Sequence, residues 1–208
     1  MNPLYPALAA GLIGHILCGM TDCMLGYSKK GRIDLRCIKD PERMREEFAE
    51  MPLSYPLWSM LLGTLAITMF GFGYIWLARD MEQYSKTAAA IMHVSAMVFI
   101  VPIVTHHVFC GAVEWLYIRL GRTDEAREAV LEMQKKTIAT MFAGYAGLLV
   151  FLVTLFVMTV SGKTGLPQWA CVFNTLTFML LMLPTKIPAK GNVAGTLMYA
   201  GLIAMYCI

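Results

Sequence analysis

Six apolar stretches divide this chain, at about 4–27, 53–78, 87–117, 137–161, 167–184 and 190–207. About twenty residues of helix span the hydrocarbon core of a bilayer. A segment in lipid must satisfy its own backbone hydrogen bonds, and a helix does so without a partner. The pattern predicts an all-α, polytopic integral membrane protein with about six transmembrane helices, forming a single transmembrane domain over 1–208. The fifth and sixth stretches are the shortest. Hydrophobic residues make up 58% of the chain and charged residues 15%, against about 25% charged in a soluble domain. The net charge of +3, without a basic tail or an aromatic-interleaved basic patch, points to no nucleic acid. The partners expected are membrane lipids and a hydrophobic small molecule, and these spans are compatible with a homo-oligomer.

The connections carry the orientation signal. Segment 28–52 holds seven Lys/Arg and 118–136 holds five, while the alternate connections hold two or one. The positive-inside rule places the basic set in the cytoplasm, so both termini are expected outside an integral plasma (inner) membrane. The N-terminal residues lack a basic region, which favours a retained first helix over a cleaved signal peptide. Asp40-Pro41 is a helix start, and Met44, Phe48 and Met51 then share a face, which reads as a short helix on the membrane surface. Thr123 is placed to cap a helix that begins at Asp124 and runs through Lys136 into the fourth span.

Within the apolar stretches one motif occurs twice. His15, Cys18, Gly19 and Asp22 recur as His107, Cys110, Gly111 and Glu114, at one spacing. The echo extends into the connections: Gly31-Arg32 and Asp34 match Gly121-Arg122 and Asp124, and Arg45-Glu46 matches Arg127-Glu128. Two parallel two-helix repeats follow, 1–78 and 87–161, with a C-terminal helix pair over 167–208. Such repeats meet about an axis along the membrane normal, and sites form where they meet.

Ionisable groups inside a membrane are costly and mark function. On a helix His15, Cys18 and Asp22 share one face, as do His107, Cys110 and Glu114. Gly11 on the first stripe is a close-packing cue, and Ile103 stands at its match. Measured from Tyr27 and Tyr117 as interfacial anchors, both histidines lie roughly 15–18 Å deep and both acids roughly 5–8 Å. Neighbouring first and third spans would then set His15 against His107 and Asp22 against Glu114. This predicts His15, Asp22, His107 and Glu114 as catalytic acid–base groups of an intramembrane enzyme acting on a lipid or hydrophobic small molecule, a hydrolase, isomerase or transferase. The same stripe suits a proton-coupled transporter or a small-molecule binding protein.

Cys18, Cys110, His106, Arg32 and Arg122 are candidate ligand-binding residues, the arginines for a phosphate. His15, His107, Cys18 and Cys110 are candidate ligands of a divalent metal. Six cysteines without a Cys-x-x-Cys pair give no redox or zinc-ribbon signature. Haem is disfavoured: two bis-His haems need four placed histidines, and a single one needs His15 and His107 at matched depth. Pro102 falls inside the third span, where it removes one backbone hydrogen bond. Tyr74, Trp76, Trp115 and Tyr117 read as interfacial anchors.

Overall fold

The computed structural model describes residues 3–207, the side chain of Leu35 excepted; Met1, Asn2 and Ile208, at the ends of the expected domain, lie outside them. The order is α1 (Leu4–Gly26), β1 (Tyr27–Ser28), β2 (Gly31–Arg32), α2 (Pro41–Phe48), α3 (Ser54–Asp80), α4 (Lys86–Arg119), α5 (Asp124–Thr137), α6 (Ala139–Val160), α7 (Thr175–Met182) and α8 (Lys190–Cys207). The strands form one antiparallel hairpin, with Tyr27 opposite Arg32. The protein is otherwise helical. Four helical segments are long and apolar enough to cross a membrane: Leu4–Gly26, Ser54–Gln83, Lys86–Arg119 and Asp124–Val160. Large apolar side chains such as Ile13, Leu61, Val94 and Phe142 are exposed along them, the surface that lipid would cover.

The expected fifth span is not one helix. Residues 168–172 form a 3-10 turn, the chain breaks at Phe173 and Asn174, and α7 has eight residues, about 12 Å of rise. Asn174 makes the break permissible. Its Oδ1 caps α7 by accepting from the Leu176 N–H, and its Nδ2 donates to the Leu152 carbonyl. The cap satisfies an N–H freed by the break inside the protein, as burial in lipid demands, and the amide nitrogen ties the break to α6.

Helix α3 is central, with α1 on one side and α4 on another; α6 packs on α4, and α8 runs antiparallel along α1. Small residues set these approaches. A Cβ on Gly14 would meet the Ala66 carbonyl and the Phe70 amide of α3, and one on Gly147 the Ser95 carbonyl and Phe99 amide of α4. Gly11 is covered by the Tyr199 ring of α8, as its stripe position suggested, whereas Ile103 packs on Gly144. Helix α4 continues through Pro102 without interruption.

Two corrections concern aromatic residues. Tyr74 is no interfacial anchor: it is fully buried among Phe70, Phe99, Phe151 and Tyr199, with ring centroids 5.0–6.1 Å away. Tyr117 is buried as well, edge-on to Phe48 at 5.6 Å.

Tyr117 belongs to a lobe at one end of the bundle. The Asp40 side chain caps α2 by accepting from the Glu42 and Arg43 N–H groups, with Pro41 in the first turn. Thr123 caps α5 through the Ala126 N–H. These local signals act as the sequence implies. The apolar face of α2, however, does not lie on a membrane. Met44, Phe48 and Met51 are buried against Val113, Tyr117 and Val130 of α4 and α5. Full burial of a side chain such as Phe48 contributes about 1.5–3 kcal/mol, so the lobe has a core of its own.

Candidate functional site

The two motif copies meet, but crosswise. Asp22 Oδ1 of the first copy stands 3.5 Å from His107 Nδ1 of the second. Asp22 Oδ2 accepts from Asn192 Nδ2 at 2.7 Å, and Asn192 Oδ1 lies 3.0 Å from His15 Nδ1. Since the Asn192 amide must donate toward the carboxylate, its oxygen faces His15, and His15 carries its proton on Nδ1. His15 Nε2 is then the acceptor 3.4 Å from the Tyr74 hydroxyl. At the other end, His107 Nε2 lies 3.1 Å from the Ser59 carbonyl and 3.2 Å from Ser59 Oγ, which itself donates to the Thr21 carbonyl. A carbonyl only accepts, so His107 donates from Nε2. Its Nδ1 therefore faces the Asp22 carboxylate, a place for a proton or another cation between the two.

The expectation that His15 faces His107 is not met. His107 packs over Gly63 of α3, and His15 stacks on Phe70 at 4.3 Å. Seven positions of α3 separate these contacts, about 10 Å of rise. The depth reading failed because Tyr117 is buried in the lobe, so α4 enters the bundle lower than a membrane anchor would set it. Without matched depth no bis-His haem pocket exists between them. Helices α1 and α4 are also not closely packed neighbours; both pack on α3.

The remaining residues divide. Cys18 is buried, and its Sγ, a carboxylate oxygen of Asp22 and a ring nitrogen of His107 lie within 4.8 Å of one another. Cys110 Sγ lies 3.5 Å from His106 Nε2, and His106 Nδ1 is buried without a partner. Glu114 is not hydrogen-bonded to Asp22. Its Oε2 is buried and unpaired, and it lines a cavity of about 270 Å³ toward the lobe, which Asp22 and Cys110 also line. Asp22 and Cys110 equally border a second chamber of about 310 Å³ in the bundle, with His15, Tyr74, His107 and Asn192. Asp22 thus stands in the wall common to both. His93 lies outside this set, with Nδ1 3.0 Å from the Ala89 carbonyl of its own helix.

The two arginines are engaged differently. Arg122 donates to the carbonyls of Phe48, Ala49 and Met51 and so closes the end of α2. It does this from a left-handed backbone, φ 61°, after Gly121 at φ 77°. Arg32 is exposed and reaches the Lys186 carbonyl at 3.4 Å. Elsewhere in the lobe, hydrogen bonds from the Arg36 side chain and backbone hold the Asp34 carboxyl down, to about 2, and burial pushes the Cys37 thiol up.

Asn192, Ser59 and Tyr74 complete the network; the first two were not singled out from the sequence, and Tyr74 reads there as an anchor. Asn192 and Ser59 left only the trace of a polar residue inside an apolar stretch.

Neither a curated protein nor a solved structure matches the chain. One family model matches residues 1–208, that described as a family of unknown function, DUF6796, and the chain belongs to this family.

Proposed function

We propose that the protein is an intramembrane enzyme acting on a lipid or a hydrophobic small molecule, as a hydrolase, isomerase or transferase. The observation that carries this reading is a shared wall. A groove of about 600 Å³ runs along the outside of α1 and α8, lined by Ile16, Met20, Met24, Ile187, Val193 and Leu197. His15 and Asn192 border this groove and the polar chamber alike. An acyl chain in the groove therefore has its polar end beside His15, Asn192 and, one hydrogen bond further, Asp22. Apolar clefts with a few convergent polar groups are the usual form of ligand sites.

In this reading the basic lobe faces the cytoplasm of the plasma (inner) membrane, with both termini outside. The chain crosses six times, the fifth crossing being the broken segment around α7. Discontinuous segments near the midplane are a recurrent element of membrane sites. Helices α1–α3 and α4–α6 are the two repeats, and their crossed pairing at Asp22 and His107 forms the site. His15, flanked by Tyr74 and Asn192, is the proton-handling group.

The test is a lipid comparison. Purified protein in nanodiscs of native lipid is incubated and the lipids are compared with those exposed to His15→Ala and Asp22→Asn. Wild-type protein is expected to convert one lipid class, and the variants are expected to lose the conversion by about a hundredfold or more. Folded variants that keep full turnover refute the assignment. The second reading, proton-coupled transport, rests on Asp22 standing between the chamber and the cavity toward the lobe. Unchanged lipids together with a pH-dependent flux into proteoliposomes would select it.

A further inference from the structure

We propose that Cys18, Asp22 and His107 form a binding site for a divalent transition-metal ion, with zinc the best fit. This goes beyond the enzyme reading and does not depend on it.

Three donors of different chemistry, a thiol, a carboxylate and an imidazole, converge from α1 and α4 to within 4.8 Å of one another. Ligands around a tetrahedral zinc stand about 3.5 Å apart, given bond lengths of roughly 2.0–2.3 Å. The Asp22–His107 distance is already 3.5 Å, so closure needs a shift of about an ångström at the thiol. Sulfur and nitrogen donors select against magnesium and calcium, which take oxygen ligands.

The imidazole is held as a metal ligand is held. A ligating histidine donates its other N–H to a carboxylate or a backbone carbonyl, which fixes tautomer and ring plane. His107 Nε2 lies 3.1 Å from the Ser59 carbonyl and thereby turns the Nδ1 lone pair toward Asp22 and Cys18. The carboxylate is oriented in the same manner, through Asn192 Nδ2 on Oδ2, which leaves Oδ1 for the ion. A proton between Asp22 and His107 satisfies two of the three converging groups; a divalent cation satisfies all three. Gly63 belongs to the design, since any side chain there would occupy the place of the imidazole.

The three residues border the chamber, so a fourth position is open to water or a ligand. Three protein ligands with one open position is the pattern of catalytic zinc. With the ion bound, Asp22 and His107 are ligands, and proton handling in the reaction proposed above stays with His15.

The experiment uses the full chain in detergent, saturated with Zn²⁺ or Co²⁺ and freed of excess ion. About one ion per chain is expected by elemental analysis. The cobalt form is expected to show a near-ultraviolet thiolate-to-metal band. Cys18→Ser, close in shape to the native residue, should abolish that band, and Cys110→Ser should keep it. Asn192→Ala, which removes the hydrogen bond that orients Asp22 but no ligand of the ion, should weaken zinc binding of the folded protein about 10–100-fold. Ion content no higher than that of folded His107→Ala overturns the proposal. So does a thiolate band that survives Cys18→Ser, or its absence in wild-type protein carrying cobalt.

Discussion

Asn192 donates a 2.7 Å hydrogen bond to Asp22 across 170 positions of the chain. The same amide faces His15, so one side chain in the first turn of α8 joins that helix to two turns of α1. A hydrogen bond to a charged partner contributes about 1.5–3 kcal/mol, and its loss leaves a carboxylate oxygen unpaired. Asn192→Ala is expected to destabilise the protein by this amount, read as a lower thermal midpoint in detergent. A midpoint equal to wild type would show that α8 is held by packing alone.

Gly63 and Gly26 should respond oppositely to the same substitution. A Cβ on Gly63 collides with the His107 imidazole, whereas one on Gly26 meets nothing within 4 Å. Gly63→Ala is expected to cost about 1–3 kcal/mol through overpacking, and Gly26→Ala to leave the melting curve unchanged. Equal melting curves for the two variants would contradict the placement of His107.

Arg122 and Arg32 occupy matching repeat positions but differ in burden. Arg122 closes three carbonyls at the end of α2, while Arg32 makes one long contact at the surface. Arg122→Ala is expected to loosen the lobe by about 1.5–3 kcal/mol, seen as faster hydrogen exchange and proteolysis over 40–52. Arg32→Ala should leave both unchanged. Similar protection in the two variants would remove the clamp role from Arg122.

Asp34 has a pH signature. Its carboxyl is held low, to about 2, first by the Arg36 side-chain hydrogen bond. A depressed carboxyl contributes stability above its unfolded-state value and loses it as pH falls through the folded one. The lobe should therefore keep this contribution through mildly acidic pH and lose it toward pH 2. Arg36→Ala should return the carboxyl toward the ordinary aspartate range, measured by carbon NMR of labelled protein. An unmoved titration would mean that Arg36 is not the cause.

Much of the fold was legible because its determinants are local. Apolar length placed four spans, and Asp40-Pro41 and Thr123 placed two helix starts, since caps act within one turn. Gly11 announced a close approach because a missing side chain permits little else in an apolar helix. The fifth stretch was misleading: hydropathy averages over Phe173 and Asn174 and does not register that one amide caps α7 and ties the break to α6. The face of α2 was misleading for a related reason. Met44, Phe48 and Met51 declare an apolar surface but not what covers it.

The sequence by itself determined that His15, Cys18, Asp22, His107, Cys110 and Glu114 line inward stripes, because the helical period and the cost of charge in lipid suffice for that. Only the tertiary structure decided which of them meet. Tyr117 buried in the lobe sets the depth of α4, Gly63 admits the imidazole, and Asn192 arrives from α8, so Asp22 finds His107 while Glu114 is left beside a cavity. The reason is physical. A stripe specifies direction around one helix, whereas a hydrogen bond requires an offset between helices correct to about an ångström. That offset comes from side-chain packing, which no periodicity records.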